Sequence, residues 1–145
     1  MKISYFFSLL LIFSIFLTIN SSPLEAQATG ANKIYITQFN EMCSKVSNLL
    51  NRVMSQGDKK MTTREEIFAL TKLIHRFHEE SAKTNADGLK NGLPSNKTIL
   101  LIGQGCQAMD FVLNALDNYI DTEDRSFIAL AKRGDDLIKA IEKLI

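Results

Sequence analysis

The sequence predicts an all-α protein, an up-down-up-down four-helix bundle that follows an N-terminal signal peptide. Apolar residues recur at alternating intervals of three and four in four stretches of similar length, and no alternating apolar-polar run is long enough for a strand. The chain of 145 residues, 46% hydrophobic and 23% charged, fits one domain with a sizeable core.

The first element is a targeting segment. Lys2 precedes Tyr5 to Ile19, an uncharged run interrupted only by Ser8, Ser14 and Thr18; Pro23 and the small-x-small triplet Ala26-Gln27-Ala28 follow. This pattern predicts a signal peptide over residues 1–28, cut after Ala28, and a single helical domain over 29–145. As a helix the apolar run rises only ~22 Å, short of a ~30 Å hydrocarbon core, which favours cleavage over anchoring. The expected location is therefore the periplasm or the extracellular medium.

Residues 1–28 contain one lysine and one glutamate, so cleavage leaves the formal charge at +1. A balance this even predicts no electrostatic capture of nucleic acid and no membrane binding by the mature form. Export also sets the expectation for Cys43 and Cys106, the only two cysteines: outside the cytoplasm such a pair forms a disulfide. The alternative is two buried thiols packing as small apolar groups. Asn96-Lys97-Thr98 is a glycosylation sequon, with meaning only in a eukaryotic secretory pathway.

The first helix carries the stripe Tyr35, Phe39, Met42, Val46, Leu49 and Val53, flanked by Ile36, Cys43 and Leu50, and ends at Gly57. The second begins at Thr62-Thr63, where Thr63 and Glu66 have capping-box spacing. Its stripe is Ile67, Leu70, Ile74 and Phe77, with Leu73 alongside, and it fades near Lys83. Residues 84–95 hold two glycines, a proline and several Asn/Asp residues and read as a loop, with Ser95 as the next N-cap.

The third helix is the most regular, with Ile99, Ile102, Cys106, Met109, Leu113, Leu116 and Ile120 in unbroken three-four rhythm. Gly103 and Gly105 interrupt its propensity, which points to close backbone approach at that level. Asp121 or Thr122 caps the fourth helix, whose stripe is Phe127, Leu130, Gly134, Leu137, Ile141 and Leu144, flanked by Ala131, Ile138 and Ile145. The alternative to a monomeric bundle is a helical hairpin that pairs with a second chain, so both monomer and homodimer stay open.

Chemistry-bearing residues are sparse. His75, His78 and Glu79 form the one cluster with a metal-ligand character, yet Ile74 and Phe77 define the buried face and leave this cluster on a solvated one. No Glu-x-x-His pair of a di-iron bundle occurs, and no Cys-x-x-Cys-His haem attachment site. Gly103-Gln104-Gly105 lies inside a helical pattern and follows no strand, so it lacks the context of a phosphate loop. No catalytic, cofactor or metal site is expected.

Phe68 and Phe111 fall off their stripes and mark a candidate partner-binding surface, unless the helices rotate enough to bury them. The function that follows is that of an exported, non-enzymatic protein that binds another protein, in the manner of an inhibitor, immunity protein, chaperone or effector. The alternative is a carrier of haem, lipid or a metal ion in the bundle interior.

Overall fold

A computed structural model describes residues 30–56 and 60–145; the predicted signal peptide and Gly57 lie outside the described residues. Four helices pack against one another, and no strand occurs among the described residues. They are α1 (Gly30–Gln56), α2 (Lys60–Lys90), α3 (Lys97–Thr122) and α4 (Arg125–Glu142). The all-α prediction holds, and helix α3 is the hub, touching all three others.

Helices α1 and α3 are in contact, whereas α2 and α4 are not, so the cross-section is a flattened rhombus with α1 and α3 on its short diagonal. Helix α3 is long and apolar enough to cross a membrane by length and composition. Its stripe faces inward instead: Ile102, Cys106, Met109, Leu113, Leu116 and Ile120 are all buried. Phe39, Val46 and Leu49 of α1 and Ile74 of α2 meet this stripe in one continuous core.

Glycines allow the two closest approaches. The ring of Phe39 occupies the space of a β-carbon at Gly105, and Val112 and Phe111 crowd that of Gly134 at 2.6 and 2.9 Å. Gly103 has only the His78 ring near it, at 3.3 Å, so the close approach expected there is looser than at Gly105.

The second helix runs further than its sequence suggests. Residues 84–90 are helical, and the connection is confined to residues 91–96. A Schellman motif ends the helix: Leu93 N–H donates to Gly88 C=O at 3.0 Å and Gly92 N–H to Leu89 C=O at 3.0 Å, with Gly92 left-handed at φ 76°. The second glycine of the stretch is therefore the stop signal. Thr63, expected to cap, lies inside the helix and is buried.

Helix α3 is capped by Asn96 rather than Ser95: its side-chain oxygen accepts from Ile99 N–H. Asp124 rather than Asp121 or Thr122 caps α4, accepting from Ser126 N–H, and Glu123 turns the chain in the left-handed conformation at φ 55°. On α4 the buried face is Ala131, Gly134, Asp135, Ile138 and Ile141, rotated from the expected stripe; Leu130 and Leu137 are half-buried and Leu144 is exposed. The rotation follows from the neighbours, since α4 packs on α3 and α1 and has no contact with α2.

Candidate binding cleft

An open cleft of about 630 Å³ lies along the end of α2 and the beginning of α3. Helix α2 contributes His78, Ser81 and Asn85; α3 contributes Leu100, Gly103, Gln104 and Gln107; Leu144 closes the side nearest α4. The absent side chain at Gly103 opens the floor, and the gap between α2 and α4 keeps the cleft uncovered. Leu100 and Leu144 are both about half exposed, so the wall is apolar and wet.

One polar atom in this cleft stands out. The side-chain oxygen of Gln104 is buried and has no hydrogen-bond partner among the described residues. Such an acceptor costs about 1–3 kcal/mol when left unpaired. The neighbouring Ser81 hydroxyl is already committed, donating to the His78 carbonyl at 2.9 Å. Lys97 stands exposed at the mouth.

Beside the cleft, Asn96 fastens three helices. Its backbone N–H donates to Asn85 Oδ1 at 2.8 Å, its Nδ2 donates to the buried Asn32 Oδ1 at 2.7 Å, and its Oδ1 accepts from Ile99 N–H at 3.2 Å. The nitrogen a glycan would occupy is thus used internally. Tyr35 hydroxyl and Thr84 hydroxyl share a further bond of 2.7 Å between α1 and α2.

The predicted site residues are not brought together. His75 is exposed and its Nε2 lies 2.9 Å from Asp110 Oδ2; His78 lines the cleft over Gly103; Glu79 points into solvent. No group of three or more His, Cys, Asp or Glu side chains able to hold a metal ion occurs among the described residues. Phe68 is 63% exposed with Lys72 Nζ 4.2 Å above its ring, whereas Phe111 is 38% exposed because it leans on Gly134.

The expected Cys43–Cys106 disulfide is corrected by the structure, which holds both as free, buried thiols. Each sits in the apolar seam between α1 and α3, where it packs as a small hydrophobic group. Burial, reinforced by the nearby Asp110 charge, pushes the Cys106 thiol up to about 12. Burial pushes the Cys43 thiol up further still, with Glu142 adding to it. Neither thiol is a ready nucleophile near neutral pH.

Sequence reasoning missed Gln104, Asp110 and Asp135. Asp110 Oδ1 is buried without a partner among the described residues, and burial raises its carboxyl while His75 and then His78 pull it down. Asp135 is only 5% exposed, and accepts from Ser47 of α1 and from Lys139 at 2.5 Å. The available signal for Asp135 was its spacing of four from Ala131 and three from Ile138, on the apolar flank of α4. Comparison with known protein families, curated proteins and solved structures gives no match to this chain.

Proposed function

We propose that the chain is an exported, non-enzymatic binding protein whose partner, another protein, seats in the cleft between α2 and α3. The observation that supports this most is the unpartnered Gln104 oxygen beside the exposed Leu100 and Leu144. A Gln104 side chain that turns out to a partner's N–H or O–H donor satisfies that acceptor, while the partner covers both leucines. Export rests on the Tyr5–Ile19 run and Ala26-Gln27-Ala28.

The helices are read as alternating in direction. Tyr35 near the start of α1 bonds Thr84 near the end of α2, and Arg64 near the start of α2 pairs with Asp117 and Asp121 near the end of α3. The short link through Glu123 and Asp124 then sends α4 back along α3.

Affinity capture from an envelope extract tests the reading, with the exported protein compared against its Leu100→Glu, Leu144→Glu double variant. A macromolecule retained by the first and lost by the second supports it. Retention of nothing, or equal retention by both, rejects it. N-terminal sequencing of the released form is expected to begin at Thr29.

The cleft volume also falls within the ~300–1,000 Å³ typical of small-molecule sites, which favours a second reading as a carrier of a small amphiphilic ligand on this flank. A native mass above the sequence mass, or visible absorption, in protein purified from its own host supports it; a colourless protein at its bare mass removes it.

A further inference from the structure

The near-zero net charge conceals an uneven distribution. Hydrogen bonds from Asn96 to Asn32 and Asn85, and from Tyr35 to Thr84, gather the start of α1, the end of α2 and the start of α3 at one end of the molecule. Leu144, just beyond α4, lines the same cleft as Leu100 beside them. Around this end, outside the cleft, stand Ile34, Leu89 and Leu93, three large apolar side chains each about half or more exposed.

Interleaved with them are the exposed Lys33, Lys83, Lys90, Lys97 and Lys143. Across residues 30–37, 83–100 and 140–145 the only acidic side chains are Asp87 and Glu142. Asp87 already lies 3.4 Å from Lys90, and Glu142 is half-buried. The opposite end, marked by the Arg52–Glu66 and Arg64–Asp121 pairs, carries Glu65, Asp117, Glu123 and Asp124 as well.

We propose that the end ringed by Ile34, Leu89, Leu93 and these lysines docks on an anionic lipid bilayer. Apolar side chains that enter the headgroup layer, surrounded by lysines that stay at its surface, match such a bilayer in both hydrophobicity and charge. The whole molecule needs no net charge for this, because attraction acts within about a Debye length of the surface.

Co-sedimentation of the exported protein with vesicles tests the proposal, comparing phosphatidylcholine alone with phosphatidylcholine containing phosphatidylglycerol. Binding is expected only in the anionic vesicles and falls as salt rises. Lys33→Gln with Lys90→Gln is expected to lower partitioning about twenty-fold or more, at roughly five-fold per lysine. Leu89→Glu with Leu93→Glu abolishes it. None of these four positions lines the cleft, and all four are exposed, so circular dichroism is expected to match the parent protein. If the leucine variant misfolds, the lysine pair decides. Equal binding to both vesicle types, no binding, or binding unchanged in the lysine variant overturns the proposal, as does capture of a soluble protein through these residues with no vesicle binding. A Gln104→Leu variant separates the two surfaces: it is expected to bind vesicles normally while losing the partner of the cleft.

Discussion

The ring of Phe39 stands where a β-carbon at position 105 would be, so Phe39 and Gly105 form a single packing unit between α1 and α3. Phe39 is fully buried and cannot swing away without opening a void among Ile141, Cys43 and their neighbours. Gly105→Ala gains up to ~1 kcal/mol of helix propensity but forces the ring aside, an overpacking cost of ~1–3 kcal/mol or more. The net expectation is destabilisation by about 1–2 kcal/mol. Gly103→Ala meets only the tip of His78, which can rotate towards the cleft, so it is expected to be neutral or to stabilise by up to ~1 kcal/mol. Thermal or denaturant unfolding of the two variants checks the contrast; equal effects would show that the glycines are not packed differently.

The thiols make a second expectation. Cys43 and Cys106 are almost fully covered, and with the Cys106 thiol pushed up to about 12 only about one molecule in ten thousand carries its thiolate near pH 8. Both are expected to resist a thiol reagent in the native protein and to label fully in denaturant without added reductant. A requirement for reductant before labelling would show that the protein as isolated carries a bridge.

The two glycines and the two cysteines also show what the sequence could convey. Every member of the α3 stripe from Ile99 to Ile120 is buried as its three-four rhythm predicts, because a central helix presses neighbours against a broad face. On α4 the rhythm was sound but the buried arc was displaced towards Ala131 and Ile138; periodicity fixes a spacing, whereas the missing α2–α4 contact decides which edge is covered. The extension of α2 to Lys90 was hidden because Asp87 and Gly88 have turn character, and only the left-handed Gly92 shows where the helix stops. The cleft could not be read at all. It depends on His78 of α2, Gln104 of α3 and Leu144 beyond α4 lining one space, and no local pattern encodes that.

Two carboxylates are expected to give stability opposite dependences on pH. The Asp110 carboxyl is raised by burial, more than His75 and His78 lower it, so its favourable contribution is complete below the ordinary value of 3.8 and is lost as pH rises through its folded value. Asp110→Asn is therefore expected to be more stable than the parent at neutral pH, with the gap closing in acid. The Asp124 carboxyl is lowered by the Ser126 N–H it caps, so its contribution is present above 3.8 and is lost as pH falls through its lower folded value. Asp124→Ala is expected to be less stable at neutral pH, again with a gap that closes in acid. Unfolding curves across that range check both signs, and a gap that persists in strong acid would mean that packing rather than ionisation causes it.

The bond between Ser47 and Asp135 links α1 to α4 through the most buried carboxylate among the described residues. Asp135 has a second partner in Lys139, but that side chain is about half exposed, and a solvated pair one helical turn apart contributes only ~0.3–0.5 kcal/mol. Lys139→Ala is accordingly expected to change stability little. Asp135→Ala removes a buried group and strands the Ser47 hydroxyl, which costs about 2–3 kcal/mol. Ser47→Ala strands part of the carboxylate in turn and costs about 1–2 kcal/mol. If the two act as one unit, the double variant is less destabilised than the sum of the singles by about 1 kcal/mol, because the second change no longer strands anything. A double-mutant cycle by denaturant unfolding measures that coupling. Strict additivity would mean that the two groups are held by their separate surroundings and that the packing of Ile138 and Ile141, not this bond, fixes α4 against α1.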